Sequence, residues 1–389
     1  MFRIGQEEID AVTKVLKSGW AFKSGGPNPS ETVQFERELC EKVDCKHALL
    51  MTSGHAALAS AMVALGIGPG DEVIVPAYTY IATAMAVIEA GAIPIVADID
   101  ETLTIDAEDV ERRITEKTKA IAVVHMQGLP CNMDAILAVA KKHNLAVVED
   151  ACQAVGGSYK GRRLGTIGDA GAFSFNQFKI ISAGEGGALL TNDRLIFERS
   201  IIYHDSNAIA YFGQYLGDFS TELFCGTEVR TNDITAAIMR VQLTRLDGIL
   251  ADLRKNRRYI MNALRGLCDF LPSNDNDGDC ATILGFRFDS AEKADAFAKR
   301  VGGGRPINNG KHVYTAWDCI AKHNGAFHPK KNPFNMPENS RPSYGPEVCP
   351  RSLEIMARSV YVPMNPDATQ ADLDAKIAKI KAALEEVKA

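Results

Sequence analysis

The sequence predicts an α/β protein: a large domain with a mainly parallel seven-stranded sheet between helices, plus a smaller α+β C-terminal domain. Three observations carry this. Seven short apolar runs, most of them rich in Val and Ile, punctuate the first half of the chain. Helix-like segments lie between them, and after about residue 230 the alternation gives way to long helix, one clear strand and a Gly/Pro/Asn-rich stretch. Continuous apolar runs indicate strands covered on both faces, and strand–helix alternation indicates a largely parallel sheet.

In chain order the expected strands are HALLM (47–51), EVIVP (72–76), IPIVADI (93–99), AIAVVHM (120–126), LAVVED (145–150), AGAFSF (170–175) and GALLTN (187–192). Helical patterns fall at 55–65, 79–90, 108–115 and 133–143. Residues 233–265 read as one long helix, with Ile234, Ala237, Ile238, Val241 and Leu246 in its apolar stripe. A strand is expected at 281–290, and residues 302–350 show no clear period. The last helix carries Leu373, Ile377, Ile380, Leu384 and Val387 at helical spacing. The change of pattern divides the chain into residues 1–245, an N-terminal segment with the large domain, and 246–389, the small domain.

Composition narrows the function classes. With 389 residues, 46% hydrophobic and 24% charged, the chain can bury a large core and does not read as disordered. A net charge of −6 and a pI near 5.8 argue against a nucleic-acid partner but leave a small anionic substrate open. The one dense basic cluster, Arg254, Lys255, Arg257 and Arg258, reads as a solvated helix face. Nine scattered cysteines without a CxxC pair suggest neither a metal site nor a disulfide framework. The first residues, MFRIGQEEIDAVTKVL, do not read as a signal peptide, and no apolar run has membrane-spanning length. A cytoplasmic location without a membrane partner is the expectation.

Three segments could do chemistry. In TSGHAALASAMVALG (52–66) a strand ends, Ser53-Gly54 turns, and a helix begins near His55. Its unpaired N–H groups and dipole suit a phosphate, although taken alone such a turn is an ordinary helix cap. In VVEDACQA (147–154) Asp150 follows an apolar strand, where α/β sheets bind ligands. Alone it reads slightly more readily as a helix N-cap. In AGAFSFNQFKIISAGEGGALLTND (170–193) a strand ends at Ser174 and Lys179 follows five residues later beside Phe178, Ile180 and Ile181. Apolar surroundings would favour the neutral amine that a nucleophile needs; the ordinary alternative is a lysine with its head in water. In this order the three segments are what a pyridoxal 5'-phosphate (PLP) site requires. The phosphate takes the hydroxyl and N–H donors, the pyridine nitrogen takes the carboxylate, and the aldehyde takes the lysine. Tyr80, in VPAYTYIATA, is the candidate to stack on the ring.

The sequence resembles the DegT/DnrJ/StrS family of sugar aminotransferases, which are fold-type I PLP enzymes. TSGHAAL, GIGPGDEVIVPAYTYIATA, GAIPIVADID, KAIAVVHMQG, VVEDACQAVGGSYKGRRLGTIGD, FSFNQFKIISAGEGGALLTND and AAIMRVQLTRLD carry the resemblance, which is strong from about residue 30 to 250. It implies the PLP-dependent transferase fold type I. It also implies that Lys179 forms the Schiff base and shuttles a proton, that Asp150 pairs with the pyridinium nitrogen and that Gln153 lies near the ring hydroxyl. Ser174, with the backbone of Gly54 and His55, would hold the phosphate, and Tyr80 would stack. A homodimer with shared active sites is implied as well. Two positions depart from the family. His55 stands where a small hydroxyl residue is usual, so its ring is a possible phosphate donor. Glu228 stands where many relatives have Asn; as a carboxylate it must point away or be protonated, with Arg230 the candidate donor instead.

The function so implied is transfer of an amino group from an amino acid, glutamate being expected, to a keto or aldehydo sugar. The acceptor is either a nucleotide-linked keto sugar or an eight-carbon keto-sugar acid. HMQG and the Asn308-Asn309 region look closest to the second branch, and the inosose aminotransferases share a similar Gln-x-x-Lys loop. The alternatives are a PLP-dependent sugar dehydratase, an aminohydroxybenzoate-type dehydratase, or a non-catalytic regulator of the same fold. Lysine at 179, where the sugar 3-dehydratases carry histidine, favours transamination.

Overall fold

The computed structural model describes residues 2–23, 29–205 and 219–388. Nine strands precede residue 200: β1 (His47–Met51), β2 (Glu72–Pro76), β3 (Ile93–Ala97), β4 (Thr118–Val124), β5 (Ala146–Asp150), the short hairpin of β6 (Ser158–Tyr159) and β7 (Arg162–Arg163), β8 (Ala170–Ser174) and β9 (Gly187–Thr191). Seven of them, all those expected, form one sheet in the order β1-β9-β8-β5-β4-β2-β3. The four pairings from β8 to β3 are parallel, and β9 runs antiparallel to both its neighbours.

Alternation along each strand divides the core. Leu50, Ile74, Ile121 and Val147 face one apolar layer, with Phe35 and Leu39 of the helix Glu31–Val43 and the buried stripe of the helix Asp233–Ala263. Leu49, Val73, Ala122 and Val148 face the other, with the helices Gly54–Ala64, Ala82–Glu89 and Arg194–His204. Both faces are covered, which is why the strands read as unbroken apolar runs. Each fully buried Val, Leu or Ile contributes about 1.5–3 kcal/mol before entropy is charged against it. The helix Gly54–Ala64 is Ala-rich and buried nearly all round, so it has no polar face to betray it in the sequence.

Asn232 caps the long helix Asp233–Ala263 through Ile234 and Thr235 N–H, and the helix runs unbroken through residue 245. Its Asp233 carboxylate in turn accepts from Ser30 Oγ, Glu31 N, Thr32 N and Thr32 Oγ1 at 2.7–3.0 Å, fixing the start of the helix Glu31–Val43. Beyond it lie β10 (Asp269–Phe270), β11 (Ile283–Arg287) and β12 (Ser359–Pro363), which form a second, antiparallel sheet in that order. Residues 302–350 are mainly irregular, punctuated by five single turns of 3-10 helix. They fold back on the large sheet: Tyr314, Trp317 and Phe334 are buried in its second layer, and Tyr344 Oη donates to Pro94 O at 2.8 Å.

One expectation needs correcting. Lys255 and Arg258 are exposed, but Arg257 is buried and pairs with buried Asp279 at 2.7 Å, while Arg254 donates to the Asp279 and Gly278 carbonyls. Half of the basic cluster therefore anchors residues 278–279 against the helix. The nine cysteines are free thiols. Among the described residues no helix is long and apolar enough to cross a membrane.

Candidate active site

Strand ends and turns converge on a cavity of about 610 Å³. Gly54, His55, Tyr80, Asp150, Gln153, Ser174 and Lys179 all line it. The sequence thus brought together residues spread over 126 positions by a simple rule: Asp150 and Ser174 end β5 and β8, and Gly54 follows the end of β1.

The helix Gly54–Ala64 begins at the cavity wall. Ser53 caps it, its Oγ accepting from Ala56 N at 3.1 Å. A side chain at Gly54 would meet Cys152 Sγ at 2.6 Å and Ser174 Cβ at 2.9 Å. At Gly187 it would meet the Ser53 carbonyl carbon at 2.2 Å. Glycine is therefore needed at both places so that the helix start, β8 and β9 can touch, a packing reason that holds before any ligand is considered.

His55 is turned toward the neighbouring helix. Its Nε2 lies 2.8 Å from Glu89 Oε2 and its Nδ1 3.3 Å from Ala82 O. The Glu89 hydrogen bond holds the imidazole above its ordinary 6.5 despite burial, and His55 in turn holds Glu89 below 4.5. Tyr203 Oη also donates to Glu89, at 3.1 Å. The ring is thus engaged by a carboxylate, and what His55 offers an anion at the helix start is its backbone N–H.

Asp150 is 6% exposed. Its Oδ1 accepts from Cys152 N at 3.1 Å and its Oδ2 from Thr83 Oγ1 at 2.7 Å. Burial, and then the Asp150 charge, push the adjacent Cys152 thiol well above its ordinary value, so it stays neutral. Gln153 is oriented by Gln127, whose N–H donates to Gln153 Oε1 at 3.0 Å. That leaves the Gln153 amide N–H₂ as the group available to a ligand acceptor. Gln127 manages this from the left-handed region (φ 53°), with its own Nε2 on Tyr78 Oη at 2.8 Å.

Lys179 is half-buried at the cavity, and among the described residues its ammonium has no hydrogen-bond or ion-pair partner. The apolar surroundings expected from sequence are only partly there. Ile180 and Ile181 are buried, but Phe178 is 85% exposed. It points outward because its own N–H caps onto Asn176 Oδ1 in the turn that presents Lys179. Ser174 is buried, and its hydroxyl accepts only a long 3.5 Å contact from Asn176 N, so its proton is free for an acceptor. Tyr80 is 44% exposed, with its ring centroid 5.2 Å from that of His312. Burial and the Lys179 charge hold His312 below 6.5.

The cavity is also lined by residues that motif reading did not single out: Gln127, Thr282, Ile283, His312 and Pro363. Gln127 lay within the quoted HMQG stretch, but His312 belongs to the region without period. Glu228 and Arg230 do not line the cavity of this chain. Arg230, the candidate donor, is instead held by Asp205 and Glu228, both at 2.8 Å.

The cavity offers a lysine amine, a buried carboxylate, a hydroxyl and a helix N-terminus around one space. Those groups suit an aromatic phosphate ester that carries a basic ring nitrogen and an aldehyde. Over 263 residues the chain is 44% identical to the spore coat polysaccharide biosynthesis protein SpsC of Bacillus subtilis, covering 66% of this chain and 65% of that protein. It is 41% identical over 254 residues to the GDP-perosamine synthase of Caulobacter vibrioides, covering 64% of this chain and 65% of that protein. The matched stretches thus span a little under two thirds of these relatives. The structure of an aminotransferase from Psychrobacter cryohalolentis superposes with a TM-score of 0.82 at 30% identity, covering 100% of this chain and 98% of that one. The family model for the DegT/DnrJ/EryC1/StrS aminotransferases matches residues 3–300, and the chain belongs to that family.

Proposed function

We propose that this protein is a PLP-dependent aminotransferase that moves an amino group from an amino acid, glutamate being the expected donor, to a keto or aldehydo sugar. The observation that carries the reading is the convergence of Lys179, Asp150, Ser174 and the Gly54 helix start on one cavity. The donor set fits PLP group by group. Ser174 Oγ and the N–H groups of Gly54 and His55 would take the phosphate, Gln153 Nε2 the ring hydroxyl and Asp150 the ring N–H, with Tyr80 against the ring face. When bound, the cofactor supplies an imine-forming aldehyde and a ring that accepts an electron pair.

The protein's own groups do the rest. Lys179 Nζ would hold the cofactor and, once the donor amine has taken its place, would be free to move the proton at the substrate carbon. Asp150, desolvated and hydrogen-bonded, keeps the ring nitrogen protonated. The same two roles serve in reverse on the sugar, so the kinetics are ping-pong. Gln127, Thr282 and His312 form the wall that the acceptor would meet. Acceptors of the two classes, nucleotide-linked keto sugars and eight-carbon keto-sugar acids, are the candidates. The similarity to a GDP-perosamine synthase favours the first, and the HMQG stretch the second. We also infer a homodimer, in which a second copy covers the exposed Phe178 and Tyr80 beside the cavity, and take residues 246–389 as the small domain.

The test is the isolated half-reaction. Yellow protein should be bleached by glutamate, releasing 2-oxoglutarate, and the bleached form should regain colour only with a keto sugar of one class. Yellow protein that no amino donor bleaches would favour the dehydratase or regulator alternatives.

A further inference from the structure

We propose that Thr83 is the positioning residue of Asp150, the carboxylate that faces the cofactor, and that it works through a two-hydroxyl relay from Thr79 that keeps Asp150 aimed. The proposal rests on the reading that Asp150 receives the ring N–H. Thr79 and Thr83 are both 0% exposed. Thr83 Oγ1 lies 2.7 Å from Asp150 Oδ2 and 2.7 Å from Thr79 Oγ1. A carboxylate only accepts, so the Thr83 proton goes to Asp150, and the Thr79 proton must then go to Thr83. The ordinary alternative for a helical threonine is a back-bond to its own helix, here Tyr80 O at 3.3 Å. The shorter contact to a charged acceptor wins.

The consequence follows from burial. At 6% exposure Asp150 has lost most of its water, and what replaces it is Thr83 and the longer bond from Cys152 N. Without the Thr83 hydroxyl the carboxylate keeps only the Cys152 N–H donor and is free to turn, so it holds the ring N–H less firmly. The relay also has a fixed far end. Thr79 N–H donates to His312 O and Ile81 N–H to Lys311 O, both at 2.9 Å, and Tyr78 bridges Val313. Residues 311–313, which carry His312 of the cavity lining, are therefore bonded to the same turn that carries Tyr80 and starts the relay.

The test uses the full-length, PLP-loaded protein and follows the pH titration of its yellow band, PLP retention and the rate of bleaching by glutamate. A positive ring nitrogen makes the Schiff-base nitrogen on Lys179 release its proton more readily. Thr83→Val should therefore raise the titration midpoint by about one pH unit or more and slow bleaching by about ten- to a hundredfold. Thr83→Ser should restore both, and Thr79→Val should move both in the same direction by less. A Thr83→Val protein with the wild-type midpoint and rate overturns the proposal. If that variant does not fold, Thr83→Ala and Thr79→Val decide on the same midpoint, an unchanged value again overturning it. Asp150→Asn separates the two levels. If it leaves the midpoint unmoved, the reading of Asp150 itself fails; if it moves the midpoint and Thr83→Val does not, only the relay fails.

Discussion

Glu149 and Asp150 are neighbours at the end of β5 and face opposite sides of the sheet, yet the protein treats the two carboxylates differently. Glu149 is 0% exposed and saturated. It accepts from Ile167 N and Gly168 N at 2.6 Å, Gly165 N at 2.8 Å and His125 Nε2 at 2.9 Å. Burial opposes a charge on His125 while Cys131 and then Glu149 favour one, but Cys131 N donates into His125 Nδ1 at 3.1 Å and needs the lone pair there. The ring is therefore the neutral tautomer with its proton on Nε2. Asp150 has two donors and a cavity in front of it. A saturated buried carboxylate builds structure, here by pinning the loop 165–168 to the sheet. One left with spare lone pairs toward a cavity awaits a ligand.

The largest effect should come from emptying the saturated side. Glu149→Ala strands three backbone N–H groups and His125, and should cost about 3–5 kcal/mol, read as a lower urea midpoint at unchanged slope. Asp150→Asn should do the converse. It should slow glutamate-driven bleaching by on the order of a hundredfold or more while the melting temperature stays within about 2 °C. If Asp150→Asn unfolds the protein, or Glu149→Ala leaves stability intact, the contrast is wrong.

That contrast could not be read in VVED, where the two acids are equivalent letters. The sheet was legible because burial on both faces makes unbroken apolar strands. The positions of Asp150, Ser174 and Lys179 were legible because their chemistry follows strand ends. What escaped were partners set by tertiary contact. Thr83 meets Asp150 across 67 positions. Gln127 orients Gln153 only because it adopts φ 53°, and His312 comes from turns without period. Phe178 was expected to shield Lys179 and faces outward, while Arg257 was expected in water and is buried on Asp279. A helix face shows its own residues, but not what packs against it.

A third expectation concerns the contact behind Asp150. Gly54→Ala drives a methyl into Cys152 and Ser174, and should cost about 1–3 kcal/mol in thermal stability. Combining it with Cys152→Ala should recover part of that loss, which a double-mutant cycle would measure. The smallest effect belongs to Glu89, an exposed carboxylate outside the cavity lining that pairs with His55. Its pair with His55 should contribute about 0.2–1 kcal/mol. The raised His55 value gives stability that is full below 6.5 and is lost as pH rises through the raised value. The lowered Glu89 value gives stability that is present above 4.5 and is lost as pH falls through the lowered value. The pair is therefore strongest between 4.5 and 6.5, and Glu89→Gln should flatten the stability-versus-pH curve across that window.

The most direct test of the site is to reduce the PLP-loaded protein with borohydride, digest it and map the modified lysine by mass spectrometry. The account predicts a single pyridoxyl-phosphate adduct, on Lys179, that is absent from Lys179→Ala. An adduct on another lysine, or protein that stays colourless and unmodified with excess PLP, would contradict it.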